Sequence, residues 1–162
     1  MVKRLVLLAL AIFVLAGMSA SELLAQAENW RTYANPRFGT RADYPAHLFT
    51  QAEPPPANGD GQSFTTTDRR AKLSIYGSFN ATGETPRSYV ENFIRPEGKL
   101  AYELIRDTYF VASAERDDRI HYMRCNFAKG DPGIIRCFAI EYPAAEKGRW
   151  DAAVKRIASS LR

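Results

Sequence analysis

Side chains that react or bind metals are scarce in this 162-residue chain, which has two cysteines, two histidines and three methionines. A zinc centre needs three or four nitrogen, sulfur or carboxylate ligands, and the spacing around His47 and His121 supplies no further ones. Cys125 and Cys137 are far from C-x-x-C spacing, and no charged helix start flanks either thiol, which sets a dithiol redox centre aside. There is no G-x-S-x-G elbow and no cysteine–histidine pair with a catalytic role, so a nucleophile of the familiar hydrolase type is missing. A Walker-type glycine-rich loop is absent too, and with it a cradle for nucleotide phosphates. Charge of one sign is equally lacking. The net charge is +4, and beyond the first residues only Arg69-Arg70 and Lys155-Arg156 are adjacent basic pairs, which argues against a nucleic-acid footprint. No internal repeat is found.

The most informative stretch is the first 27 residues. Lys3 and Arg4 precede an unbroken apolar run from Leu5 to Gly17, and Ala25-Gln26-Ala27 forms an A-x-A site before Glu28. Charge, apolar core and small-residue site in this order predict a secretory signal peptide over 1–27, cleaved after Ala27. The run of 13 residues is short for a membrane span, which takes about 20; a retained anchor is the alternative. The expectation is a periplasmic or secreted protein whose mature part, 28–162, is a single globular domain without stable membrane insertion. Removing Lys3, Arg4 and Glu22 with the leader leaves a mature charge of +3.

The mature part alternates strand and turn signals. Asn35-Pro36-Arg37-Phe38-Gly39 predicts a turn into a strand from Thr40 to Tyr44, and Leu48-Phe49 an apolar plug. Glu53 to Gly61, with three prolines and Asn-Gly-Asp-Gly, can continue neither a helix nor an interior strand and is read as a loop. Ser63 to Thr67 and Ala71 to Gly77 read as a hairpin, with Leu73 and Ile75 on one face and Lys72 and Ser74 on the other. Pro86, capped by Thr85, opens a helix whose apolar stripe is Tyr89, Val90, Phe93 and Ile94; Pro96 and Gly98 close it. Strands are expected over 100–106, 109–115, 119–127 and 134–142, joined by short turns at Asp107-Thr108, Asp117-Asp118 and Gly130 to Gly133. Trp150, Val154, Ile157 and Leu161 define a C-terminal helix. Strands joined by short turns must be antiparallel. The predicted class is α+β: a meander-rich antiparallel sheet of about six or seven strands flanked by two main helices, near 86–95 and 146–161.

Within that meander, setting Cys125 opposite Cys137 also sets Met123 opposite Ala139, Phe127 opposite Ile135 and Lys129 opposite Gly133. Facing residues lie within the reach of a disulfide. In an oxidising compartment a structural disulfide is therefore predicted, two free thiols being the alternative. The same register places His121 opposite Glu141, an ordinary cross-strand pair.

Other polar groups have bland explanations. Asp117-Asp118 sits where turns favour Asp, and Asn58 to Gly61 lacks the further ligands of a calcium loop. The aromatics Trp30, Tyr33, Phe38, Tyr44 and Phe49 are expected to fill the core rather than line a pocket.

Tyr33 to Pro45 resembles the opening of PsbP/Mog1-like domains: an aromatic, Asn, two variable positions, aromatic-Gly, an alternating strand, then Tyr-Pro. The helix from Trp150 to Leu161 is similar to the one that closes such domains, so the resemblance covers about 30–162. The chain also resembles small exported bacterial proteins without an assigned role. The resemblance implies a central antiparallel sheet with flanking helices and no enzymatic activity, since members of this fold mostly act as binding or accessory proteins. It carries over no functional residue, because the plant photosystem members' metal and partner contacts have no matching motif. The expected function is a non-enzymatic exported accessory or binding domain, without cofactor, catalytic residue or metal ligand. Its partner would be an envelope protein or a small ligand. The alternative is a small secreted hydrolase whose acid–base site, His47 with a carboxylate for example, converges only in the fold.

Overall fold

The computed structural model describes residues 29–128 and 133–162; the leader, its Ala27 site, the Gly130 to Pro132 turn and the expected pairing of Lys129 with Gly133 lie outside them. Arg31–Arg162 forms one compact unit. The first described element is a two-stranded ribbon, β1 (Trp30–Ala34) and β2 (Arg41–Pro45). The Asn35 side chain closes this hairpin by accepting the Phe38 N–H at 2.8 Å, and Gly39 supplies the left-handed backbone (φ 65°) that the turn requires.

The main sheet has seven antiparallel strands: β3 (Gln51–Ala52), β4 (Gly61–Thr65), β5 (Lys72–Phe79), β6 (Tyr102–Ile105), β7 (Tyr109–Arg116), β8 (Arg119–Phe127) and β9 (Ile134–Pro143). Their spatial order is β3-β4-β5-β9-β8-β7-β6, so β6 to β9 is a meander and β9 returns beside β5. The α+β class and the strand count agree with the sequence reading. So does the register: Cys125 faces Cys137, Met123 faces Ala139, Phe127 faces Ile135 and His121 faces Glu141. The cysteine Sγ atoms lie 2.00 Å apart, at bonding distance.

Each face of the sheet has its own core. On one face Leu73, Ile75, Phe138 and Ile140 are buried with Trp150 and Ile157 of α2 (Lys147–Ser160). The Trp150 ring stacks on Tyr142 at 5.6 Å and leans on Phe49 at 5.5 Å. Ribbon strand β2 runs along α2, where the Asp43 N–H donates to Ser160 Oγ at 2.8 Å. On the other face α1 (Pro86–Tyr89) continues through a π-turn (Val90–Ile94) and a 3₁₀ turn (Arg95–Glu97). It seals Phe110, Cys125, Ile135 and Cys137 beneath a fully buried Val90.

One element is added to the sequence reading and one expectation is corrected. The plug at Leu48-Phe49 leads into a short edge strand, β3, paired with β4. The apolar stripe of the first helix is narrower than its spacing suggests. The Arg95 N–H reaches back five residues to the Val90 carbonyl, so the wider turn carries Phe93 off the core side and leaves it 48% exposed.

Candidate functional site

The face under α1 is only half covered. Gly98 takes a backbone conformation (φ 138°) that glycine tolerates, so the chain turns away after Glu97 instead of extending the helix. Beyond that point the sheet carries small side chains, Ser74, Ala112, Ala114 and Ala139, which leave a depression where larger residues would have filled the surface. The result is an open groove of about 390 Å³. Its floor is these small residues with Met123; its apolar wall is Ile94 and Leu100; its rim is Lys72, Glu97, Arg116, His121 and Glu141.

The rim charges are mutually engaged. Glu141 accepts from Arg119 at 3.0 Å and lies 3.5 Å from His121 Nδ1. Lys72 pairs with Glu53 at 2.9 Å, and the Arg116 guanidinium donates to the Glu97 carbonyl at 2.9 Å. The groove is thus an apolar trough bounded by ion pairs, a shape suited to holding an apolar group with polar contacts at its edges. No motif in the sequence marks it: its signal is a run of small residues at alternating strand positions, which in isolation reads as ordinary sheet.

A second, more polar cleft of about 350 Å³ brings together His47, Asp68, Arg70, Glu146 and Arg149. This is the convergence of His47 with carboxylates that a hydrolase would need. Both carboxylates have other partners. Asp68 accepts from Thr66 Oγ1 at 2.6 Å and from the Arg70 N–H at 3.1 Å, and these bonds hold its carboxyl below the usual range, the wrong direction for a proton donor. Glu146 is ion-paired with Arg70, lies 3.5 Å from Arg149 and accepts from Trp150 Nε1 at 3.3 Å. The arrangement is an ion-pair network tying the start of α2 to the turn before β5.

Asp117 and Asp118 occupy left-handed backbone (φ 50° and 57°) at the β7–β8 turn, and Asp60 pairs with Arg37 at 2.7 Å. Among the described residues no three His, Cys, Asp or Glu side chains gather as a metal site would need. No helix among them is long and apolar enough to cross a membrane. Phe38, Tyr44 and Phe49 are buried, as expected, while Tyr33 is half-buried with its ring edge-on to Phe64 at 6.0 Å.

No family model and no curated protein matches the chain. Among solved structures it is similar to cyanobacterial PsbP (CyanoP) from Synechocystis sp. PCC 6803, with a TM-score of 0.58 and 15% identity over 83% of this chain and 92% of that one. It is also similar to the Ran-binding protein Mog1p of Saccharomyces cerevisiae, with a TM-score of 0.53 and 8% identity over 83% of this chain and 95% of that one. The chain has the PsbP/Mog1-like fold.

Proposed function

We propose that this chain is a non-enzymatic accessory domain, exported to the periplasm or beyond, that holds a protein side chain or small apolar ligand in the groove beside α1. The observation that carries the reading is the groove itself: an apolar trough whose bordering charges already have partners, so that an occupant gains by desolvation rather than by ionic contact. The fold supports it by analogy, one structural neighbour being a Ran-binding protein by name. Export rests on the leader pattern of residues 1–27 and on the cysteine pair, which suits an oxidising compartment.

Titration with anilinonaphthalene sulfonate tests the groove. Its fluorescence is expected to rise with the native protein and to stay at baseline with Ala114→Trp, which fills the trough, at an unchanged urea midpoint. Equal enhancement in both proteins would place the dye elsewhere and remove the groove from the proposal. Turnover of an ester, amide or glycoside substrate, lost in a His47→Ala variant, would replace the whole reading with the hydrolase. Mass spectrometry of the exported product checks the leader, the expected N-terminus being Glu28.

A further inference from the structure

Among the described residues no strand pairs with the outer edge of β6, the last strand of the meander. Its backbone polarity follows from the register. The Arg106 N–H donates to the Tyr109 carbonyl at 2.8 Å, and hydrogen-bonded pairs alternate along an antiparallel ladder. Leu104 and Tyr102 therefore bond inward to Val111 and Ser113, while Glu103 and Ile105 turn their N–H and C=O groups outward. One contact corroborates this: Arg106 Nη1 donates to the Ile105 carbonyl at 3.1 Å, a guanidinium laid along the free edge. At the other end the Ala101 N–H bonds to Ser113, one residue out of step with the pairing of Tyr102 to Ser113, as at a bulge, so the open edge is short and bounded.

The surroundings of that edge are chemically one-sided. Tyr102 is 52% exposed, and on the same face Arg124 stacks over the Tyr109 ring at 4.4 Å. Among the described residues neither Arg106 nor Arg124 has a carboxylate partner; Arg106 bonds only to backbone, and Arg124 Nε to the Asn126 side chain at 3.0 Å. The strand's own acid, Glu103, is held on the opposite face by Arg95 at 2.8 Å. Asp107, in the adjoining turn, is the nearest acid in sequence. Exposed tyrosine with arginine is the composition enriched at protein interfaces.

We propose that the β6 edge accepts an extended acidic segment of a partner protein as an eighth strand. The incoming backbone would exchange hydrogen bonds with Glu103 and Ile105, displacing Arg106 from the Ile105 carbonyl. The freed guanidinium would then face a carboxylate on the tyrosine side. This surface is separate from the groove beside α1, so either proposal can fail without the other.

The test is a fluorescein-labelled, end-capped peptide of alternating valine and glutamate, titrated against the protein with amide NMR shifts recorded in parallel. The largest shifts are expected at the Glu103 and Ile105 amides. Affinity is expected to fall roughly 10- to 100-fold in Arg106→Glu, the loss of a charge-assisted contact plus a repulsion. Arg106 is exposed, so the variant should fold, which its amide spectrum checks directly. A peptide N-methylated at alternate residues keeps the charge but cannot add as a strand, and should not bind. Four results would each overturn the proposal: equal binding of a valine–lysine peptide, equal binding of the N-methylated one, unchanged affinity in Arg106→Glu, or shifts centred elsewhere. Shifts at Glu103 and Ile105 that grow with protein concentration alone would identify a second copy of this chain as the occupant and overturn it too.

Discussion

Gly77 runs beneath Phe38 so closely that a Cβ on the glycine would stand 2.4 Å from the Phe38 Cβ and 2.7 Å from Thr40 Oγ1. This contact lets the β1–β2 turn lie flat on the sheet, where the Phe38 carbonyl accepts from Arg136 Nε at 3.0 Å. Gly77→Ala forces the Phe38 and Thr40 side chains, and with them the turn, away from β5. The expected cost is about 1–3 kcal/mol, the usual penalty for overfilling a packed site. A lower urea midpoint at unchanged slope checks it; an unchanged midpoint would show that the turn lifts freely.

Cys125 and Cys137 are fully buried under Val90. A bond between residues 12 apart closes a short loop, and in the chain-entropy account it contributes about 3 kcal/mol. Thiol labelling in denaturant without reductant should find no free thiol in protein from an oxidising compartment. Reduction, or Cys137→Ser, should lower the unfolding midpoint accordingly. Two titratable thiols in the exported protein would contradict both the bond and the compartment that motivates it.

Burial holds several phenols protonated beyond their ordinary range. Tyr142 is pushed up to about 12, chiefly by burial and then by the Asp151 charge; Tyr76, Tyr89 and Tyr122 are raised for the same leading reason. The unfolded chain releases these protons near pH 10 and the folded one later, so stability is intact below about pH 10 and declines as pH climbs toward 12. Ultraviolet titration of the native protein should show late-ionising phenols that titrate normally in denaturant. Tyr142→Phe should remove one of them and make the alkaline loss of stability shallower.

What the sequence disclosed follows from how directly each feature is written in local pattern. Leu73 and Ile75, fully buried between exposed Lys72 and half-buried Ser74, are a two-residue period with one consequence. The cysteine register is similarly rigid, because a single pairing fixes every neighbour along β8 and β9. Phe93 misled because its spacing presumes an ordinary helix, whereas the widened turn after Val90 depends on the hydrogen bond from Arg95. The groove was illegible for a different reason: Ala112, Ala114 and Ala139 say nothing alone about where α1 stops covering them. The β6 edge was hidden because only strand order reveals which strand is last.

The groove wall depends on a helix with little intrinsic strength. Only Pro86–Tyr89 is regular α-helix, far shorter than a helix that persists alone in water. Its start is fixed by a reciprocal cap: the Ser88 N–H donates to Thr85 Oγ1 at 3.1 Å, and the Thr85 N–H donates to Ser88 Oγ at 2.9 Å. Glu84 adds to this corner by accepting from the Ser88 hydroxyl, which is the main reason its carboxyl stays below the usual range. Thr85→Ala removes the side-chain acceptor and should cost about 1 kcal/mol, as cap deletions do. Because α1 continues directly into Ile94, the loss should also loosen the groove wall. Dye affinity at the groove is therefore expected to weaken in Thr85→Ala, with faster amide exchange confined to 86–97. Thr85→Ser, which keeps the hydroxyl, should restore both. Equal exchange rates in the alanine variant would mean that burial of Val90 alone holds the helix, and that the cap contributes nothing to the site.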